Sequence, residues 1–359
     1  MKVVYITNQF HPFSFGGDAK IVMYEAVELA KQGHDVHVIF DSMSYKRKEL
    51  GCKIKDFEAE LENLYPQIVF HDLKTKNWII HHSIAWYLQR NLYAKKYLNK
   101  LLQQIKPDIV HVHNASSMGT EPFRACKKLK IACVYTAHDF YLMDSQITVP
   151  VIFICDYIKR SMNVKVSSFM LPNCIPKCEF APFIRNDVST KLLFVGYMER
   201  RKNAAVAVHA ADNLGVELNI VGVGDDLYMQ HIRTLCEDKP KIKYLGRVSE
   251  EVLKTLYSTS DILLLPTDWD IFPVALLEAM SYGCAVLATS VGGISEMIPA
   301  ELILNDSSTE ELCKKIKEVC ANLGYYQQLC LEQSAAFFVE SHVKKLLEIY
   351  EEVRSKCKM

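Results

Sequence analysis

Short apolar runs alternate with longer amphipathic stretches along this chain. The runs at 3–7, 35–40, 67–71, 108–112, 132–136 and 151–154 have strand length, and the segments 18–32, 80–106 and 118–129 carry apolar residues at helical spacing. Gly33 follows the first of these helical segments, where a helix-ending glycine belongs. A stretch rich in Cys, Pro and charge then runs from 172 to 187, with Pro176 and Pro182, and reads as a linker. A second series follows, with strands expected near 191–195, 217–221, 241–245, 261–265 and 285–288 and helices between them. Strand and helix in alternation predict parallel sheets covered on both faces. The fold class is therefore α/β, with two doubly wound domains in tandem, 1–180 and 181–335, facing a cleft at the carboxyl ends of their strands. The remainder, 336–359, is a long amphipathic helix.

A chain of 359 residues has material for two such domains. Half its residues are hydrophobic and 23% are charged, an ordinary globular balance. No apolar run has bilayer-spanning length, and Met1 opens directly into strand-like Lys2-Val3-Val4-Tyr5-Ile6, so a cytoplasmic protein without a signal peptide is expected. Twelve cysteines without a C-x-x-C spacing fit a reducing compartment and give no zinc pattern. The first 180 residues hold 23 basic against 17 acidic residues and the rest 19 against 25, so balanced halves of +6 and −6 make up a neutral chain. With Lys46-Arg47-Lys48 and the Lys- and aromatic-rich segment from Trp86 to Leu102, this raises a peripheral contact with an anionic membrane surface. The competing reading packs that segment on its own sheet with the lysines in water. Nothing points to nucleic acid.

The densest candidate chemistry lies in Leu264-Leu265-Pro266-Thr267-Asp268-Trp269-Asp270-Ile271-Phe272-Pro273-Val274-Ala275-Leu276-Leu277-Glu278. A buried strand ends at Leu265, a loop follows, and Pro273 is placed to open the next helix. The free backbone N–H groups around Phe272 to Ala275, at the positive end of that helix, suit a diphosphate and make Ile271, Phe272, Pro273 and Val274 candidate binding residues. Asp270 stands before the helix and Glu278 inside it, one able to reach a sugar and the other the two hydroxyls of a ribose. Asp268-Trp269-Asp270 is also a D-x-D, a three-residue metal-and-nucleotide pattern that arises easily by chance. Gly222-Val223-Gly224 lacks the third glycine of a dinucleotide fingerprint. His111 and His113 alternate along one strand and share a face, but no third ligand is evident, so they read as wall or satisfied core and no metal is expected.

Asp270-x7-Glu278 resembles the E-x7-E signature of retaining glycosyltransferases of family 4 (group 1), which have the GT-B fold of two Rossmann-like domains and a terminal helix crossing back to the first. The resemblance extends over Gly16-Gly17, Gly33-His34-Asp35-Val36, His111-Val112-His113-Asn114, Thr136-Ala137-His138-Asp139-Phe140, Leu171-Pro172-Asn173, Phe194-Val195-Gly196, Arg201-Lys202-Asn203, Leu245-Gly246-Arg247-Val248 and Ser290-Val291-Gly292-Gly293. It implies that Glu278 holds the nucleotide ribose and Asp270 contacts the donor sugar. It implies that Lys202 neutralises the diphosphate, that Gly16 and Gly17 let backbone approach phosphate and sugar, and that His138 faces the sugar near the reacting carbon.

The implied activity is transfer of a sugar, with retention, from a nucleotide donor, UDP-sugar first and GDP-sugar second, to a glycan, lipid-linked or other hydroxyl acceptor in polysaccharide or cell-envelope synthesis. No cofactor is expected. Two departures bear on it: Tyr197 replaces an arginine of the diphosphate site, for which Arg200, Arg201 or Arg247 would have to compensate, and Asp270 is one methylene shorter than the usual glutamate. Two alternatives stay open: a nucleotide-sugar epimerase of related fold that binds the same donor, and, suggested by Tyr197 and Asp270, a silent nucleotide-sugar-binding subunit.

Overall fold

The computed structural model describes residues 1–14, 16–44, 56–75, 90–142, 144–178 and 190–358. Lys46-Arg47-Lys48, Trp86 and Pro182 lie outside the described residues. The chain forms two compact units, Met1–Cys174 with Val339–Met359, and Ile175–Phe338. The second unit starts and ends at one place, because Ile175 bridges to Phe338 and its N–H donates to the Phe337 carbonyl at 2.9 Å.

In the first unit the strands β1 (Lys2–Ile6), β2 (Asp35–Phe40), β3 (Ile68–Asp72), β4 (Ile109–Val112), β5 (Ala132–Ala137), β6 (Val151–Phe153) and β7 (Ser168–Met170) pair in parallel, in the order β3-β2-β1-β4-β5-β6-β7. β4 and β5 are buried at every position, as expected of central strands covered on both faces. Helix Gly17–Lys31 buries Ala19, Ile21, Val22, Ala26 and Leu29, and also Glu25, on one face. The terminal helix Val339–Lys358 packs against that helix and against β5.

One helix begins later than its apolar spacing predicts, and another is described only in its later part. The segment expected over 80–106 is described from residue 90, and there a helix runs from Leu92 to Ile105, with the Asn91 side chain accepting from the Tyr93 and Ala94 amides as its cap. It buries Ala94, Leu98, Leu102 and Ile105 and leaves Lys95, Lys96 and Lys100 exposed, so its described part covers its own domain. The one expected from 118 is helical from Glu121 to Leu129, since Met118 and Gly119 turn back onto the Ala115 carbonyl and Gly119 has a φ of +59°.

In the second unit β8 (Lys191–Val195), β9 (Glu217–Val221), β10 (Ile242–Gly246), β11 (Ile262–Leu265), β12 (Ala285–Thr289) and β13 (Ile303–Leu304) form a parallel sheet in the order β10-β9-β8-β11-β12-β13. The order reverses between β8 and β11. At such a switch point the two following loops diverge to opposite faces of the sheet and leave room at the strand ends.

The loop after β11 is pressed from its other side by the turn after β12. Gly293 N–H donates to the Ile271 carbonyl at 2.7 Å, and Gly292 has a φ of +57°. A Cβ on Gly292 would lie 1.9 Å from the Asp270 carbonyl oxygen. Only glycine fits both constraints. Gly292→Ala should therefore destabilise the second unit by about 2 kcal/mol or more, read by urea unfolding; an unchanged midpoint would mean that the Asp270 loop yields freely.

Candidate active site

The carboxyl ends of β8 and β11 are joined by side chain and backbone. After β8 the chain passes Gly196 and Tyr197 and makes a short 3-10 turn, Arg200–Lys202, that ends at Asn203 with a φ of +55°. That left-handed residue turns its amide onto the next loop, donating to the Pro266 carbonyl at 2.9 Å and to Asp268 at 2.8 Å. In return the Thr267 hydroxyl and the Asp268 N–H both donate to the Arg201 carbonyl, at 2.9 and 2.8 Å. The result is a fixed bracket that lays Lys202 on Asp270.

Lys202 Nζ donates to Asp270 Oδ2 in a short, largely buried ion pair, and Asp270 Oδ1 accepts the Ile271 N–H at 2.8 Å. Two residues singled out separately in the sequence thus form one unit. Arg201 is held differently: its guanidinium pairs with Glu199 at 2.7 Å, donates to the Trp269 carbonyl at 2.9 Å and stacks 4.6 Å over the Trp269 ring. Arg247 follows β10, with β9 and β8 between its strand and β11. Asp268 is engaged by Asn203 and, at 2.8 Å, by Ser307, so the two carboxylates of the D-x-D serve different partners.

Beyond Asp270, Ile271 and Phe272 are buried, with the Phe272 ring against Phe337. Pro273 stands one position earlier than expected, as the cap, with a φ of −69° and ψ of 111°, and the helix runs Val274–Ser281. Its first amides have no acceptor within the helix. Glu278, one turn further in, is buried and accepts the Tyr257 hydroxyl at 3.0 Å. Burial and the neighbouring Glu278 raise the Tyr257 phenol well above its usual range, so it remains a donor to the carboxylate. Tyr257 was not legible in the sequence; it is the buried residue of helix Glu250–Thr259.

Gly16, Gly17 and His138 belong to the first unit. Gly16 is exposed and caps helix Gly17–Lys31 in extended conformation. His138 follows β5, half-buried, with its Nε2 2.8 Å from His113 Nδ1. Behind it lies a cluster that corrects the reading of His111 and His113, because a third ligand-type group exists. Glu25 Oε2 is 3.6 Å from His111 Nδ1 and 3.5 Å from His113 Nε2, and the three have the types and spacing of a metal-holding group. Glu25 Oε1 is paired with His342 at 2.9 Å. The signal for Glu25 was a charge inside the apolar stripe of Ile21, Val22, Ala26 and Leu29; His342 carried none.

The chain matches two family models, Glycosyltransferase Family 4 over residues 15–162 and Glycosyl transferases group 1 over residues 189–322. It belongs to the family 4 (group 1) glycosyltransferases. It is a GT-B enzyme with two Rossmann-like domains. Among its relatives, an uncharacterized 42.6 kDa protein in the cps region of Klebsiella pneumoniae is 23% identical over 340 residues, covering 83% of this chain and 87% of that one. The N-acetyl-alpha-D-glucosaminyl L-malate synthase of Bacillus anthracis is 22% identical, covering 79% and 78%. The structure of Anabaena HepE in complex with UDP and glucose matches with a TM-score of 0.74 at 13% identity, covering 98% and 99%. Among the described residues no helix is long and apolar enough to cross a membrane.

The buried cluster of this glycosyltransferase sets its response to pH. Burial opposes the charge on His342, but Cys174 and Glu25 outweigh it and raise the imidazole to about 10. Its contribution is full below the unfolded value of about 6.5 and is lost as pH rises toward the folded one. Burial lowers His111 well below its usual range and, with His113, brings His138 to about 3. Below about pH 6.5 the unfolded chain takes up protons that these folded histidines refuse, so acid also destabilises. Against its burial, His113, His342 and His111 hold Glu25 well below the carboxylate range, adding a loss at lower pH. Tm should peak near neutrality, and His342→Gln should flatten the alkaline limb while the limb set by His111 and His138 persists. An unaltered alkaline slope in scanning fluorimetry would remove the His342 pair as its cause.

Proposed function

We propose that this enzyme transfers a sugar, with retention, from a nucleoside diphosphate sugar to a hydroxyl of a glycan or lipid-linked acceptor, with UDP-sugar the favoured donor and GDP-sugar the second. The observation that carries the reading is the Lys202–Asp270 pair at the β8/β11 switch point, beside the first amides of helix Val274–Ser281. Breaking the bond from an anomeric carbon to a diphosphate places negative charge on the phosphates and positive charge on the sugar. A fixed ammonium and oriented amides stabilise the first without reorganising. Lys202 therefore serves the leaving group without a metal, and Asp270, released from the lysine as the diphosphate arrives, takes hydroxyls of the sugar.

Glu278, oriented by Tyr257, accepts both ribose hydroxyls. In the first unit the family resemblance assigns a donor-sugar contact to His138 and backbone approach to phosphate and sugar to the Gly16-Gly17 turn. The leaving phosphate itself takes the acceptor proton on the face it vacates, so no carboxylate nucleophile is needed. HepE, with its bound UDP and glucose, supports a UDP donor, and the Klebsiella relative in a cps region supports polysaccharide synthesis.

The test is a panel of UDP- and GDP-sugars with EDTA present, read first by thermal shift and then by donor turnover. A UDP-sugar should stabilise the protein and be consumed. Lys202→Met should lower kcat by about a hundredfold. Glu278→Gln should weaken the nucleotide about tenfold, equal to about 1.4 kcal/mol, with kcat largely kept. Binding of neither nucleotide class would overturn the reading. Binding without turnover for any acceptor would leave a nucleotide-sugar-binding subunit, and turnover lost in EDTA would replace the lysine by a metal.

A further inference from the structure

The buried cluster of the first unit ends at His138, and its polar contacts run in a line. His342 Nδ1 is 2.9 Å from the Pro172 carbonyl and its Nε2 is 2.9 Å from Glu25 Oε1. Glu25 Oε2 faces His113 Nε2 at 3.5 Å, and His113 Nδ1 is 2.8 Å from His138 Nε2. Both Glu25 Oε2 and His113 Nε2 are fully buried and neither makes a formed hydrogen bond among the described residues, although the Tyr5 hydroxyl also faces the Glu25 carboxylate. Leaving two such groups unmet in a dry core is costly, so each is the partner of the other.

Each junction has a forced direction. A backbone carbonyl only accepts, so His342 Nδ1 donates to Pro172, and the Glu25 carboxylate accepts from His342 Nε2. His342 is thus the cation that balances Glu25. His111 spends Nδ1 on the Tyr350 hydroxyl at 2.8 Å and Nε2 on the Thr136 hydroxyl at 2.7 Å. Tyr5 and Tyr350 meet each other at 3.2 Å as neutral phenols, kept so by burial. The remaining acid near His113 is Asp18, in the first turn of helix Gly17–Lys31, where its carboxyl accepts the Ala19 N–H and an Asn114 hydrogen bond beside the positive helix end. One carboxylate and one imidazolium close the account in the core, so a second imidazolium at His113, or a divalent ion among Glu25, His111 and His113, would bury uncompensated positive charge. A neutral His113 that donates from Nε2 to Glu25 has only a lone pair left at Nδ1. His138 must then donate its Nε2–H to it.

We propose that Glu25 and His113 are positioning residues that hold His138 as the neutral Nε2–H tautomer, leaving its Nδ1 as a hydrogen-bond acceptor for a hydroxyl of the donor sugar or acceptor. His138 is half-buried, and its Nδ1 takes no hydrogen bond among the described residues. A neutral acceptor there orients a hydroxyl without placing a cation beside a sugar that develops positive charge. The tautomer follows from the cluster alone; its use in catalysis rests on the role proposed for His138 above.

The experiment is a nitrogen-15 spectrum of the full-length enzyme labelled at histidine, with no sugar present, the His138 signals being assigned by their loss in His138→Gln. Wild-type His138 should show a protonated Nε2 and a bare Nδ1 at neutral pH. A protonated Nδ1, an imidazolium at neutral pH, or zinc held stoichiometrically by the purified enzyme would overturn the proposal. Folded Glu25→Gln should give mixed tautomers and lower kcat at least about tenfold with the donor KM little changed; mixed tautomers with wild-type kcat would refute the positioning role. Should that variant not fold, the wild-type spectrum decides the tautomer. Because the spectrum needs no donor, it stands or falls separately from the transferase reading.

Discussion

The bracket between the turn after β8 and the loop after β11 is the constraint on which the second unit's chemistry depends. A lysine and an aspartate 68 positions apart form a tight pair because Asn203, Thr267 and Asp268 tie the two backbones together first. The pair then costs little further side-chain order. Gly292 closes the bracket from behind, since any larger residue would push the Asp270 carbonyl out of line. A site built on strand ends and stitched loops offers a charged ligand fixed dipoles rather than mobile ones.

The first unit solves a different problem with the same economy of parts. Its helix Gly17–Lys31 and the terminal helix Val339–Lys358 pack together, and each supplies one charged member, Glu25 and His342, to the buried cluster around His111 and His113. The ion pair ties the end of the chain to its beginning across 317 positions. It also explains why the terminal helix lies where its Tyr350 meets both His111 and Tyr5.

Much of this was legible in advance, and for identifiable reasons. The alternation of period and the apolar strands gave the two parallel sheets, because a strand buried on both faces has nowhere to hide polar residues. Asp270 and Glu278 stood out because charges flank an apolar strand, loop and helix, whereas Lys202 entered only through the family resemblance. The helix start at Glu121 was not legible, since a left-handed Gly119 overrides the apolar spacing. Tyr257 and His342 were hidden because their roles depend on long-range partners. Glu25 was half visible: its place on the apolar face was in the sequence, but what it faced was not.

That placement separates stability from orientation as reasons for a buried carboxylate. An aliphatic residue at position 25 would complete the apolar stripe and avoid the desolvation of Glu25 and His342, and such replacements are commonly neutral or stabilising when both charges are removed together. What an aliphatic residue cannot do is dictate which ring nitrogen of His113 carries the proton. With a carboxylate behind it, His113 has one tautomer, and through it so does His138; with a leucine there, both rings could turn or exchange protons at little cost. The pair therefore makes physical sense as an orienting device whose effect is delivered at the surface of the unit, one histidine beyond the core.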